Sequence, residues 1–428
     1  MTRPTVAFCG LTHLCICSGV AAAAKGFDVI LFDPDPARVG PVADGVMPVV
    51  EPDLDMLFET HRSQITVTSD VKVLGRADVV YLAPDVPTND RGESDLSPVM
   101  ALLEIVVSAV GGSSVLVVLS QVPPGFTRSI APKVSGPLFY QVETLVFGRA
   151  VERALYPERF IVGCFDPAAA LPAPFLEFLS AFSCPILPMR MESAELAKIS
   201  INLCLVASVS VANTLAELCE HIGADWSEIS GSLRLDRRIG QYAYLQPGLG
   251  IAGGNLERDL ATVIRYGERH GTDTSFVAAA VSNSAHRKGW PARMLEEHVF
   301  SRNPAAVIGV LGLAYKENTK STKNSPALAL VERMQTRAVR VHDPVVTARD
   351  VAPGAIAADD PIACASGVDA LCIMTPWPEY RSIAPSSLAA VMRGKLVLDP
   401  YRVLDEKAAV AAGLRYMTLG AGAAAGSS

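Results

Sequence analysis

Residues 5–33 read TVAFCGLTHLCICSGVAAAAKGFDVILFD, and this stretch decides the fold. Thr5 to Phe8 is a short apolar run, with a glycine, Gly10, just behind it. Val20 to Ala24 is a small-residue stretch that reads as a tightly packed helix, and Gly26 ends it. Val29 to Phe32 is a second apolar run, closing on Asp33. Strand, tight turn, helix and strand within about 30 residues make a βαβ unit. Further strand-like runs follow at Val79 to Ala83 and Val115 to Leu119, with helical patterns between them. Alternating strands and helices predict a parallel, doubly wound sheet.

The turn after the first strand of such a sheet is where a dinucleotide is held. In a GxGxxG run the second glycine lets backbone approach the pyrophosphate, and the third lets helix and strand pack closely. Here the three positions hold Gly10, Thr12 and Cys15, so only the first glycine survives. Thr12 therefore predicts a shifted pyrophosphate contact, with His13 and Leu14 completing the turn. Asp33 restores part of the pattern. A carboxylate at the end of the second strand accepts hydrogen bonds from the ribose hydroxyls of NAD and repels the extra phosphate of NADP. Spacing alone leaves a second reading open, in which Asp33 caps the turn in DPDP.

The rest of the chain extends this frame. Residues 192–222, ESAELAKISINLCLVASVSVANTLAELCEHI, form a long amphipathic pattern without Pro or Gly, too long for an ordinary crossover helix. It reads as a connecting helix and a dimer surface. A Gly-rich loop follows at Gly248 to Gly254. A second α/β pattern begins at Ala306, with VIGVLG (Val307 to Gly312), VRVHDP (Val339 to Pro344), ALCIMTP (Ala370 to Pro376) and LVLDP (Leu396 to Pro400). The expected class is α/β, with two Rossmann-like doubly wound domains joined by a long central helix and a helical dimerisation region. The boundaries read as 1–190, 191–295 and 300–420, with a low-complexity, disordered tail at 421–428.

Composition narrows the class of function. A chain of 428 residues buries two or three sizeable cores. The net charge of −7 argues against a nucleic-acid surface, which needs clustered Lys and Arg. No hydrophobic stretch runs about 18 residues without interruption, so no membrane span is expected. The start, MTRPTVAFCG, enters a strand directly and lacks the features of a signal peptide. Nine cysteines are scattered, with no CxxC pair and no His partner at zinc spacing. Core packing in a reduced, cytoplasmic setting is their expected fate, and no metal is expected.

Several segments, taken together, resemble the UDP-glucose / GDP-mannose dehydrogenase family. They are FDVILFDPDPARV, EPDLDMLF (Glu51 to Phe58), VPTNDRGESDLSPV (Val86 to Val99), SQVPPGFT (Ser120 to Thr127) and YPER (Tyr156 to Arg159). AELAKISIN (Ala194 to Asn202), RIGQYAYLQPGLGIAGGNLERD (Arg238 to Asp259) and LGLAYKENTKSTKNSP (Leu311 to Pro326) follow in the family's order and spacing. The resemblance implies NAD as cofactor, a nucleotide sugar as substrate and two successive hydride transfers at C6. Between them a cysteine attacks the aldehyde, and the resulting thioester is hydrolysed to the acid. The nucleophile is needed because an aldehyde gives up a second hydride only after something adds to it.

Carried over residue by residue, Lys198 and Asn202 match the catalytic lysine and its partner asparagine. They lie four apart and share a helix face. In isolation Lys198 would read as a solvated surface lysine; the flanking match assigns it to the C6 oxygen. Glu158 in YPER matches a glutamate near the sugar that acts as a base through water, beside Arg159 and Phe160. Asp259 matches the aspartate that orients water and the lysine. Arg38, Pro84, Val86, Thr88, Ser120, Gln121 and Lys323 fall at cofactor positions. Tyr242, Tyr244, Gly250, Gly253 and Lys316 fall at substrate positions, with Lys316 meeting the diphosphate. Arg238 matches an arginine that reaches the neighbouring subunit's substrate, which implies a homodimer.

Three departures matter. The family writes GxGGSCxxKD where this chain has GIAGGNLERD, so Asn255 takes the cysteine position and Arg258 that of the lysine. Gln121 stands in place of a water-handling threonine. Lys323 replaces the arginine of (D)xRxSP, and Lys320 and Ser321 replace acidic residues. An asparagine amide is a poor nucleophile but holds an alcohol or aldehyde by hydrogen bonds. The expected outcome is an oxidoreductase that gives an aldehyde, or a redox-neutral epimerisation or elimination through a transient aldehyde. Two alternatives stay open: a four-electron dehydrogenase working by a cysteine-independent route, and a non-catalytic nucleotide-sugar-binding protein.

Overall fold

The structure, a computed structural model, describes residues 3–89 and 92–422. Of the expected tail, residues 423–428 lie outside the described residues. The chain gathers into two compact units, one through Ile201 and one from Asn202 onward. The first unit holds an eight-stranded sheet built from β1 (Val6–Cys9), β2 (Val29–Phe32), β3 (Ile65–Thr68), β4 (Val79–Leu82), β5 (Val115–Val118), β6 (Leu138–Gln141), β7 (Phe160–Cys164) and β8 (Ile186–Arg190). Its order is β3-β2-β1-β4-β5-β6-β7-β8. The order reverses between β1 and β4, the crevice where doubly wound sheets bind ligands. β1, β2, β4 and β5 are buried at every residue, which is why they read as unbroken apolar runs.

Every pair in this sheet is parallel except β6 with β7. The sequence pattern predicted a uniformly parallel sheet. The reversal follows from how the connection is pinned. Glu51 accepts the N–H groups of Gly148 (2.8 Å) and Ala150 (3.0 Å), and also binds His13 at the start of helix His13–Ala24. This holds the short helix Ala150–Leu155 at the carboxyl edge of the strands, so the chain re-enters the sheet from that edge.

Helix His13–Ala24 packs on the sheet through Gly19, where a Cβ would stand 2.4 Å from Leu31 Cδ2. Cys15, at the third fingerprint position, is fully buried. The close approach that the fingerprint assigns to that position is made one turn later, at Gly19.

The second unit holds a six-stranded, wholly parallel sheet of β9 (Ile308–Leu311), β10 (Val339–His342), β11 (Ile356–Ala357), β12 (Ala370–Ile373), β13 (Leu396–Leu398) and β14 (Arg415–Met417). Its order, β11-β10-β9-β12-β13-β14, again reverses beside the first strand. Helices Asn255–His270 and Ser275–Lys288 belong to the same unit. Arg287, fully buried, donates to Glu220 Oε1 (2.9 Å), and Trp290 Nε1 donates to Glu220 Oε2 (3.0 Å). The same carboxylate accepts the N–H of Gly420 (2.9 Å), while Trp226 N–H donates to Gly420 O (2.8 Å). Residues near 420 thus form a strap over the end of the long helix.

That helix spans Met191–Ile222, 32 residues, and the division between the units falls inside it. By length and composition alone it is apolar enough to cross a membrane, a test that the core helix of a globular protein also passes. Polar anchors along it argue for a connecting role instead. Glu195 accepts the N–H groups of Gly125 (2.5 Å) and Thr127 (2.8 Å), and Asn213 accepts that of Gly248 (2.8 Å). In a bilayer such groups would need partners within lipid.

Candidate active site

In the first unit the turn after β1 has the geometry a dinucleotide needs. Gly10 sits at φ +94°, and its N–H donates to Phe32 O (2.8 Å). A Cβ there would come within 3.0 Å of the Pro84 backbone, so the position excludes any side chain. Thr12 replaces the second glycine without blocking the turn, because its hydroxyl is drawn aside to donate to Ala83 O (2.9 Å). Ser120 donates to Pro84 O (2.5 Å) and fixes the facing wall.

Asp33 is buried at the end of β2. Its Oδ2 accepts the N–H of Leu11 (2.9 Å) and lies 3.5 Å from the Arg38 guanidinium, and its Oδ1 accepts the N–H of Asp35 (2.9 Å). It therefore organises the glycine turn as well as its own. His13 Nε2 meets Glu51 Oε1 at 2.8 Å, with the ring stacked on Phe147 at 4.2 Å. Leu14 packs into the core beneath. Thr88 pairs with Ser94 in a loop that follows Val86. These residues fit NAD: a turn only glycine can make and a buried carboxylate at the switch point.

The second sheet repeats the frame with a different end. Gly312, at φ +92°, donates to His342 O (2.8 Å), and Asp343 follows β10 as Asp33 follows β2. But Asp343 accepts from Leu313 (2.6 Å), Ala314 (3.1 Å), Val345 (2.9 Å), Val346 (2.8 Å) and Trp377 Nε1 (3.1 Å). Five donors saturate its lone pairs, and it pins loops rather than offering a ribose contact.

Lys198 lies on the long helix with its Nζ 3.8 Å from Glu143 Oε2; the two side chains are only 12% and 18% exposed. Glu143 follows β6 by two residues, at the carboxyl edge of the sheet. Glu158, expected near the sugar, is 64% exposed and pairs with Arg153 (3.6 Å) and Arg159 (3.1 Å). Phe160 opens β7 and is buried. Sequence reasoning passed over Glu143 because YPER drew attention to the following strand. Its place just past a sheet strand was the available signal. Glu195, one turn before Lys198, was also missed. By holding Gly125 and Thr127 it ties the loop that follows Gln121 to the helix, and burial pushes its carboxyl above the usual range.

In the second unit Asn202 Nδ2 donates to Asp259 Oδ2 (2.5 Å), and Arg258 Nε lies 3.6 Å from Asp259 Oδ1, all three on helical segments. Asp259 and Arg258 are buried. Asn255 is the first residue of its helix, after Gly254, and is exposed. Among the described residues its side chain forms no hydrogen bond. The loop before it is closely fitted. Gly250, at φ +79°, leaves no room beside Ser284 O, and Gly253, at φ +80°, lies under the Tyr315 ring. Lys316 Nζ is 5.9 Å from the same ring, and the Lys323 stem runs beside Gly254. Arg238 pairs with Asp236 (2.6 Å) on the surface, and Tyr242 and Tyr244 are exposed nearby in sequence.

None of the nine cysteines lies near Asn255 in sequence. Seven of the nine are buried, Cys184 is half-buried and Cys204 is exposed. Cys204 is two residues from Asn202 and so points away from its helix face. Burial raises the thiols of Cys9, Cys15, Cys17, Cys219, Cys364 and Cys372, which opposes thiolate formation.

Three family models match the chain: the NAD binding domain of the UDP-glucose/GDP-mannose dehydrogenase family over residues 4–176, its central domain over 192–285 and its UDP binding domain over 309–406. The UDP-glucose 6-dehydrogenase of Rhizobium meliloti (strain 1021) is 28% identical over 429 residues, covering 96% of this chain and 98% of that one. UDP-glucose 6-dehydrogenase TuaD of Bacillus subtilis (strain 168) is 28% identical over 435 residues, covering 97% and 93%. The structure of a UDP-glucose dehydrogenase from the hyperthermophilic archaeon Pyrobaculum islandicum is similar at a TM-score of 0.85 and 28% identity, with 97% of each chain covered.

Proposed function

Since the chain belongs to the UDP-glucose/GDP-mannose dehydrogenase family, we propose that it oxidises the C6 alcohol of a nucleoside-diphosphate sugar with NAD and stops short of the acid. The observation that carries this reading is Asn255: an exposed amide, without a side-chain hydrogen bond among the described residues, at the position where the family's nucleophile belongs, with seven of the nine cysteines buried. NAD held at Gly10 and Asp33 supplies the hydride acceptor. Lys198 donates a hydrogen bond to the C6 oxygen and stabilises the charge that develops there. Glu143, beside it, takes the proton of the alcohol, directly or through water. Asn202 and Asp259 hold each other in a fixed pose, and Asn255 binds the aldehyde without attacking it. The aldehyde is then released, or, once Glu143 has passed the alcohol proton to water, it removes the acidified C5 proton; water reprotonates C5 on the opposite face, and the hydride and a proton return to the C6 carbonyl, giving an epimer.

Incubation with NAD and a panel of nucleotide sugars in deuterated water, followed by mass spectrometry, tests this. An aldehyde or a deuterium-labelled epimer is expected. A uronic acid with two NADH per sugar would return the enzyme to the four-electron route, and the absence of any NAD-dependent product would leave a binding protein.

The active form is a cytoplasmic homodimer in this reading. Val211, Leu215, Leu218 and Ile222 are exposed along the long helix, an apolar surface that a second copy would cover. Arg238, with its side chain 88% exposed, is left to reach a neighbour's substrate. Sedimentation velocity is expected to give a dimer; a monomer at micromolar concentration overturns this part.

A further inference from the structure

Among the described residues the Asn255 side chain forms no hydrogen bond, so the loop before it sets its position. That loop is fastened to the segment following Lys316 by a compact polar bracket. Gly253 N–H donates to Lys323 O (3.0 Å), and Asn324 Nδ2 donates back to Gly253 O (3.0 Å). The same amide donates to Glu257, the third residue of the Asn255 helix. Asn324 reaches both because it sits at φ +55°, a left-handed conformation that asparagine tolerates better than most residues. Above the bracket the Tyr315 ring covers Gly253, and Lys316 lies by that ring. Beside it the Lys323 stem runs along Gly254. Glu257 faces Lys288 and Lys323, and its half-buried carboxyl lies above the usual range, chiefly through burial.

We propose that Asn324 and Glu257 are positioning residues that make the placement of Asn255 depend on a nucleoside diphosphate bound at Lys316. The inference rests on the nucleotide-sugar reading above. An anion on Lys316 draws the 315–324 segment toward itself, and the bracket passes that movement to Gly253 and the first turn of the Asn255 helix. The bracket is polar and half-buried, so it can shift without disrupting a core. A diphosphate alone, without sugar or cofactor, is therefore enough to order the Asn255 loop.

Hydrogen–deuterium exchange on the full chain, with UDP as the probe, tests this. In the parent protein UDP is expected to slow exchange about fivefold or more, both at 309–326 and at 250–257. Asn324→Gly keeps the left-handed backbone and deletes only the amide. It should abolish the slowing at 250–257 while 309–326 remains protected and the Kd for UDP stays within about twofold. Glu257→Gln, which retains an acceptor, should keep the slowing, and Glu257→Ala should lose it. With a turned-over nucleotide sugar, Asn324→Gly should lower kcat and leave KM nearly unchanged. Slowing at 309–326 but not at 250–257 in the parent overturns the coupling and leaves the nucleotide-sugar reading intact, as does equal slowing at 250–257 in parent and Asn324→Gly. UDP that slows exchange nowhere overturns both.

Discussion

Asn255→Cys, combined with Gln121→Thr, is expected to yield two NADH per nucleotide sugar and a uronic acid where the parent yields neither. Asn255 begins a helix, is exposed and makes no side-chain hydrogen bond among the described residues, so a thiol placed there is open to an aldehyde. A helix amino terminus also lowers a thiol's pKa and raises the thiolate fraction. The thiolate adds to the C6 carbonyl carbon, and the resulting thiohemiacetal carbon loses a hydride to NAD. Water then displaces the thiol and leaves the acid. Asn255→Cys alone should give the second hydride and then stall, because Gln121 occupies the position of the family's water-handling threonine. NADH stoichiometry and product mass measure both steps. If the double variant still ends at the aldehyde or the epimer, the missing thiol is not what sets the endpoint.

The second large effect separates two glutamates. Lys198→Met should lower kcat by about 10²–10³, the usual cost of removing one donor to a developing oxyanion. Glu143→Gln should lower it about 10²-fold or more and remove a limb of the pH–rate profile. Glu158→Gln should change kcat by less than about twofold, because exposed ion pairs contribute little. The reverse ranking of the two glutamates would move the base to YPER and make the Lys198–Glu143 pair structural.

The comparison of Glu143 with Glu158 also marks where the sequence was legible. β2 lies at Val29–Phe32, as its apolar run predicts, and the other central strands fall within a residue or two of theirs. Strands buried on both faces leave a continuous apolar signal that little else produces. The long helix was legible for the same reason: 32 residues without a breaker. The reversal at β7 was not, because it depends on Glu51 reaching Gly148, 97 residues away. Glu143 was missed on similar grounds. Its partnership with Lys198 joins residues 55 apart in sequence, and no local pattern marks it. Thr12 and Cys15 looked like damage to the nucleotide turn. The hydroxyl bond to Ala83 and the close packing at Gly19 absorb both changes. The Asn202–Asp259 bond joins two residues that the family motifs had singled out one at a time.

The strap over the long helix sets an order of events during synthesis. Glu220 has no N–H from Gly420 to accept until a further 200 residues have been made. The first unit, through Ile201, carries its own complete sheet and can mature while the rest is still emerging. The second cannot close until residue 420 clears the ribosome, and closing so long a loop is slow. Newly made chains therefore pass through a stage with one finished half and one open half, and in that interval the far end of the long helix is exposed to chaperones and proteases.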